Sequence, residues 1–316
     1  MNGSDYKRFQ ILSLDGGGIK GIFTAALLAK IEEDLQTEIS KHFDLIVGTS
    51  TGGIIALGLG LGMRPRELVE FYVNKGPKIF RNLLGLNGIK HWFYRKYPNT
   101  SLQTALKDCF GNRLLGDSKK RLVIPSYNLG EDDVYLFKTP HHPRLKRDFQ
   151  VPVWKVGLAT SAAPTYFPAF EGVDSMRLID GGVWANNPTM IGIIEAASVL
   201  SIPLPSIWVF SLGTSDSVVH RPAGLNWGGK LAWGKSAVDV IMRGQSLGVQ
   251  KQALHLLGDE KVRRLDPKVP KDLFSLDSLT VDELLSKAAH ESRTFSPIFE
   301  KVFQSHQSLI YKPLYT

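Results

Sequence analysis

Short apolar runs alternate with longer stretches of helical periodicity along most of this 316-residue chain. The runs lie at about 9–14, 43–48, 121–127, 134–138, 176–180 and 206–212, and their length and β-branched content predict buried strands. Helices are predicted between them, near 21–36, 52–62, 65–75, 101–110, 152–160 and 187–200. In the first of these Ile22, Ala25, Ala26, Leu28, Ala29, Ile31 and Leu35 are apolar, while Lys30, Glu32, Glu33 and Asp34 are charged. Strands joined through helices must be covered on both faces, so the order predicts a three-layer α/β/α sandwich around a mixed central sheet. Beyond Gly213 glycine and alanine interrupt the pattern. A helical extension is expected there, with helices near 236–257, 281–290 and 296–308.

Three strand-ending turns carry candidate chemistry. Gly48-Thr49-Ser50-Thr51-Gly52 stands between the apolar run Phe43–Val47 and the small, apolar stretch Thr51–Leu61. A serine held on such a bend exposes its hydroxyl, and the glycines at 48 and 52 remove the Cβ atoms that would block it. The plain alternative is a glycine-rich strand-to-helix turn. Asp15-Gly16-Gly17-Gly18-Ile19-Lys20-Gly21 follows the first strand and opens the first helix. Exposed N–H groups at a helix start suit a phosphate or the oxyanion of an acyl-transfer transition state. Gly16, Gly18 and Gly21 fit G-x-G-x-x-G, but a dinucleotide site needs an acid at the end of the second strand, which closes here on Gly48-Thr49-Ser50. No Gly-Lys-Ser/Thr follows at the spacing of a Walker loop, so the oxyanion reading is preferred. In the third turn, Asp180 ends the run Met176–Ile179 and precedes Gly181 and Gly182. Alone it reads as a turn-stabilising Asx residue; beside an activated serine it is a candidate general base.

In this order the three turns resemble the signatures of the patatin-like phospholipases. Gly76-Pro-Lys-Ile-Phe80 with Phe71-Tyr72, the stretches Thr160–Pro168 and Asp180–Pro188, and Ser211-Leu-Gly-Thr214 are similar to the same family. The likeness spans about residues 9–214, expected as the catalytic domain, and 215–316 is expected as a C-terminal extension packed on that domain. The resemblance implies a lipid acyl hydrolase with a Ser-Asp dyad. Ser50 attacks the ester, Asp180 takes its proton, and the N–H groups of Gly16, Gly17 and Gly18 hold the oxyanion. Gly21, Gly48, Gly52, Gly181 and Gly182 shape the turns. Water then releases the acyl enzyme without a metal or organic cofactor. Free aspartate titrates near pH 3.9, so such a base requires burial to raise it. A Ser-Asp-His triad would have to recruit His220, His255, His290 or His306. None stands in a strand-end turn, and the dyad is preferred. The functional alternatives are a non-catalytic storage or ligand-binding protein on the same scaffold, and a constitutive lipase or esterase.

Cys109 is the single cysteine, which excludes an intrachain disulfide. The polar Met1–Phe9 stretch does not resemble a signal peptide, and Ile54–Leu61 is too short to span a bilayer, so a cytoplasmic protein is expected. The net charge of +8 is localised: residues 62–121 hold thirteen Lys or Arg against four acids, a local excess of +9. Within it, Arg81–Tyr97 interleaves cations with leucines and aromatics, which suits an anionic membrane boundary or nucleotide phosphates. Arg81, Lys90, Arg95 and Lys96 are the candidate contacts, against the plain alternative of a solvated face. A second basic stretch, His141–Arg147, reads as a surface loop. No nucleic-acid module is present, so DNA and RNA are not expected partners. The chain resembles in particular the patatin-like effectors of bacterial anti-phage systems. That likeness implies a cyclic di- or trinucleotide activator, membrane phospholipid as substrate at the inner face of the membrane, and allows a homo-oligomer on activation.

Overall fold

The computed structural model describes residues 7–79, 99–214, 216–218, 223–227, 229, 233, 236–270 and 281–315. Its centre is β1 (Phe9–Leu14), in which all six residues are buried because helices cover both faces of the sheet. Even and odd side chains of this strand part company: Leu12 and Leu14 enter one apolar core, Phe9 and Ile11 the other. Parallel to β1 run β2 (Leu45–Gly48) on one side and β6 (Ile207–Leu212) on the other. β3 (Arg121–Asn128) extends the sheet in parallel beyond β2. It then takes two antiparallel partners, β4 (Asp133–Lys138) and the short β5 (Leu178–Asp180). The sheet is mixed, as the order of apolar runs predicts.

The larger core packs α1 (Gly21–Leu35), α2 (Thr51–Gly60), α3 (Pro65–Ile79), α4 (Asn99–Phe110) and α5 (Val153–Thr160) on one face. The opposite face carries the short α6 (Gly182–Ala185), α7 (Thr189–Ile194) and α8 (Ser236–Leu257). From α7 and α8 Ile193, Ala253 and Leu257 complete the second core. The predicted helix near 187–200 is thus interrupted: α7 passes into a π-helical turn over Glu195–Val199. Two fully buried aromatics, Phe43 and Phe210, meet Phe299 and Phe303 at centroid distances of 5.1–6.2 Å.

The C-terminal third departs from the sequence expectation in two ways. A single helix, α9 (Val281–Val302), replaces the two expected at 281–290 and 296–308. Pro297 removes one helical N–H donor, but Leu284, Ala288 and Phe299 are buried with the α1 side chains, and this packing carries the helix through the proline. Secondly, β8 (Val262–Leu265) joins the main sheet in parallel beside β6. Its sequence Val-Arg-Arg-Leu offers no apolar run to announce a strand. A small second sheet pairs β7 (Asp216–Val218) with β9 (Lys268–Pro270).

Candidate functional site

β1 and β2 both end toward one edge of the sheet, and their following loops form the site. Ser50 is the second of the two residues between β2 and α2, with φ +55° and ψ −121°. This conformation is uncommon for a residue with a Cβ and is held by its surroundings. The Ser50 N–H donates to Thr160 Oγ1 at 3.0 Å, and that hydroxyl donates to the Pro125 carbonyl at 2.6 Å. Two glycines make the bend sterically accessible. A Cβ on Gly48 would lie 2.3 Å from the Gly52 carbonyl oxygen, and one on Gly52 would lie 2.3 Å from that of Leu14.

The antiparallel pairing of β5 with β3 places Asp180 opposite Ser126 and brings its side chain to the serine. Ser50 Oγ donates to Asp180 Oδ2 at 2.7 Å. The other carboxylate oxygen, Oδ1, accepts the Gly182 N–H at 2.7 Å, which orients the group from behind. Burial pushes the Asp180 carboxyl up to about 6, even though both hydrogen bonds favour the ionised form. It is therefore mostly ionised at neutral pH, yet about a hundredfold more basic than a free aspartate.

No histidine bonds to either group among the described residues. His306 Nε2 lies 2.7 Å from Asp44 Oδ2, at the opposite end of β2. His255 is on α8 and His290 on α9, and His220 lies outside the described residues.

The glycine loop approaches the serine directly: a Cβ built on Gly16 would stand 3.2 Å from Ser50 Cβ. Of the three loop amides, one is already engaged. The Gly16 N–H donates to the Asn186 carbonyl at 3.0 Å, so it is not available to an oxyanion. The N–H groups of Gly17 and Gly18 stand at the start of the 3₁₀ turn Gly18–Lys20, and among the described residues neither donates to a backbone carbonyl. Gly18 takes φ +59°, which glycine adopts without strain. Gly21 starts α1, and Gly181 links β5 to α6.

Several residues at the site carried no signal in the sequence. Thr160 and Asn186 sit inside motif stretches, without any sign of which backbone group they serve. Thr214 Oγ1 donates to the Gly16 carbonyl at 3.2 Å. Arg264, from β8, reaches the Asp15 carboxylate at 2.7 Å. The basic stretch at His141–Arg147 also needs correction, because His141 is buried, 2.9 Å from both Glu195 Oε1 and Thr139 Oγ1. The surface reading fails at its first residue because hydrogen bonds at both ring nitrogens offset the cost of burying it, and burial itself lowers the pKa of the ring and favours its neutral form. Arg81, Lys90, Arg95 and Lys96 lie outside the described residues.

Residues 12–193 match the family model described as patatin-like phospholipase. The chain belongs to the patatin-like phospholipase family. It is accordingly a lipid acyl hydrolase. Over 318 residues it is 32% identical to a cGAMP-activated phospholipase of Pseudomonas aeruginosa (strain BWHPSA011 / Pa011), covering 95% of this chain and 93% of that protein. A cGAMP-activated phospholipase of Escherichia coli (strain TW11681) is 37% identical over 224 residues. That alignment covers 66% of this chain and 63% of the relative, so it spans less than two thirds of the latter's length. Among solved structures, VipD from Legionella pneumophila superposes with a TM-score of 0.50 at 11% identity, covering 92% of this chain and 67% of that one. At that identity the likeness establishes the fold.

Proposed function

We propose that this patatin-like protein cleaves acyl esters of membrane phospholipids with a Ser50–Asp180 dyad, and that a cyclic nucleotide switches it on. The observation that carries the dyad is the 2.7 Å hydrogen bond from a serine strained at φ +55° to a buried carboxylate. As Ser50 Oγ attacks the ester carbonyl, Asp180 Oδ2 accepts its proton, and the negative charge moves to the former carbonyl oxygen. The Gly17 and Gly18 N–H groups receive that oxyanion. Collapse of the tetrahedral intermediate expels the alcohol, which takes the proton back from Asp180. Water then attacks the acyl enzyme with Asp180 again as base, releasing the fatty acid and restoring Ser50.

A lipid surface as the source of substrate is supported by apolar side chains beside the dyad turn. Val183 on α6 is exposed, and so is Ile241 on α8. The neighbour of Ile241, Met242, has its Cε 3.5 Å from the Cβ position of Gly182. Trp227, ahead of α8, is 94% exposed, an unusual state for the largest apolar side chain in a purely aqueous setting. Among the described residues no helix is long and apolar enough to cross a membrane. We place the activator with cyclic dinucleotides because two relatives are named as cGAMP-activated. The Arg81–Lys96 segment, with its local positive charge, is our candidate for phosphate or headgroup contact. Anti-phage defence is the cellular role that this combination suits.

The test is hydrolysis of a soluble chromogenic ester and of phospholipid vesicles by wild type and Ser50→Ala, each with and without cGAMP. Ser50→Ala should lose at least about a thousandfold on both substrates while keeping its fold. A folded Ser50→Ala protein with near wild-type turnover refutes the dyad, and wild-type turnover indifferent to every cyclic dinucleotide refutes the switch.

A further inference from the structure

The glycine loop is anchored from outside the segment matched by the family model. Arg264 lies on β8, opposite Ser211 of β6, which is in turn opposite Ser13 of β1. These three residues continue the face of the sheet that carries the second core, but at its end the row is polar. Thr189 Oγ1 lies within hydrogen-bond distance of both Ser13 Oγ, at 2.9 Å, and Ser211 Oγ, at 3.2 Å. Into this row the Arg264 guanidinium extends with only 11% of its side chain exposed. It grips Asp15 with both terminal nitrogens, Nη1 to Oδ1 at 3.2 Å and Nη2 to Oδ2 at 2.7 Å. Nη1 also reaches Ser211 Oγ at 2.8 Å, and the second N–H of Nη2 faces Asp266 Oδ2 at 2.8 Å and Ser246 Oγ at 3.3 Å.

Asp15 is the residue immediately before Gly16, and it is 2% exposed. Its backbone N–H is fixed to the Leu212 carbonyl at 2.9 Å, and its side chain acts together with the Asn186 and Thr214 contacts to Gly16 in setting how the chain leaves β1. A buried carboxylate two residues from the Gly17 amide also presents an electrostatic difficulty. The reaction creates a second anion at that amide, and two like charges in a low-dielectric site repel strongly. A planar guanidinium paired bidentately with the first anion weakens that repulsion, although it also serves Asp266, and fixes the carboxylate's orientation at once.

We propose that Arg264, contributed by the C-terminal third, is a positioning residue of the acyl-transfer site. Through Asp15 it holds the Gly16–Gly18 loop in the conformation that presents amides to the oxyanion, and its positive charge, shared with Asp266, opposes the carboxylate charge beside them. The proposal rests on the reading of Ser50 and Asp180 as the reacting pair. It also assigns a catalytic purpose to residues 215–316, since β8 carries the anchor and α8 supplies Ser246 beside it.

The experiment uses the full chain and a soluble chromogenic ester. Competent sites are counted by stoichiometric reaction of Ser50 with a fluorophosphonate, and kcat is expressed per competent site, so that unfolded protein does not enter the ratio. Arg264→Gln should lower kcat about a hundredfold with KM changed by less than about threefold, the pattern of a lost transition-state interaction. Arg264→Lys should fall similarly, because an ammonium cannot hold both carboxylate oxygens in plane. Asp15→Asn alone should cost about tenfold, and the double variant Asp15→Asn/Arg264→Gln should recover at least tenfold over Arg264→Gln by removing the Asp15 charge. If Arg264→Gln, or Arg264→Lys should the former not fold, keeps wild-type kcat per competent site, Arg264 is a stability element and the proposal is overturned. A double variant no faster than Arg264→Gln overturns the charge-opposing half. Failure of the dyad itself would appear separately, as a fluorophosphonate that does not label Ser50 or as an active Ser50→Ala.

Discussion

Replacing Asp180 by Asn should make the protein dead and more stable, and the gain should depend on pH in a specified way. In the fold the carboxyl titrates near pH 6, raised by burial, whereas in the unfolded chain it titrates near its ordinary 3.8. A group whose folded pKa is raised lends its full stability below the unfolded value and loses it as pH climbs to the folded one. One pH unit between the two titration points corresponds to about 1.4 kcal/mol, so ionising Asp180 costs the native state on the order of 3 kcal/mol once pH exceeds 6. The side chain is 6% exposed, so solvent screening scarcely reduces that figure. Asparagine keeps the shape. Its Oδ1 can still accept the Gly182 N–H, and its Nδ2 can donate to Ser50 Oγ, with no charge to bury.

The difference in unfolding free energy between Asp180→Asn and wild type should therefore be small at pH 4, rise between pH 4 and 6, and stay level to pH 8. The plateau should lie about 2–3 kcal/mol higher, or on the order of 5 °C in melting temperature. Parallel denaturant titrations across that range measure it directly, since every other titrating group is common to both proteins. The same charge removal should abolish ester hydrolysis, because the amide cannot accept the Ser50 proton. Wild-type kcat/KM should show an acidic limb with a midpoint near pH 6. A stability difference that is flat from pH 4 to 8 would refute the buried-base argument, and so would a folded Asp180→Asn enzyme with wild-type turnover.

Two further outcomes follow from the geometry and the charge. Thr160→Val removes the acceptor of the Ser50 N–H; leaving that buried donor unpaired should cost about 1–3 kcal/mol in a denaturant melt and lower kcat on the soluble ester, with an unchanged melt refuting the support role. Charge reversal at Arg95 and Lys96 should weaken binding to anionic vesicles in a sedimentation assay while sparing the soluble ester. If it instead erases cGAMP stimulation on both substrates, the segment serves the nucleotide and the membrane reading of it falls.

What could be read from sequence divides according to how local the physics is. β1 and β2 were legible because each is a continuous apolar run, and a strand buried on both faces needs nothing else. Ser50 and Asp180 were legible because tight bends demand glycine, and glycine at 48, 52, 181 and 182 marks where the chain turns sharply beside a polar side chain. The engagement of the Gly16 amide was not legible. Its acceptor, the Asn186 carbonyl, comes from a loop 170 residues away, and nothing in Asp15-Gly-Gly-Gly signals that one of three equivalent amides is taken. The single α9 was missed for a related reason: Pro297 is a local stop signal that packing against α1 overrides.

Arg264 is the most instructive omission. Two arginines in four residues argue against a buried strand on composition alone, and yet β8 lies in the main sheet with Val262 and Leu265 buried. Local preference and tertiary placement conflict there, and such conflicts persist where something compensates them. Here the compensation is visible as five polar contacts of the guanidinium, two of them to the carboxylate that precedes the glycine loop. Stability alone does not require that arrangement, since an apolar side chain on the strand would avoid the desolvation of a guanidinium altogether. A charge placed in a strand, and aimed at the loop proposed to receive a second charge during catalysis, is better accounted for by that proposed chemistry than by the folding of the sheet.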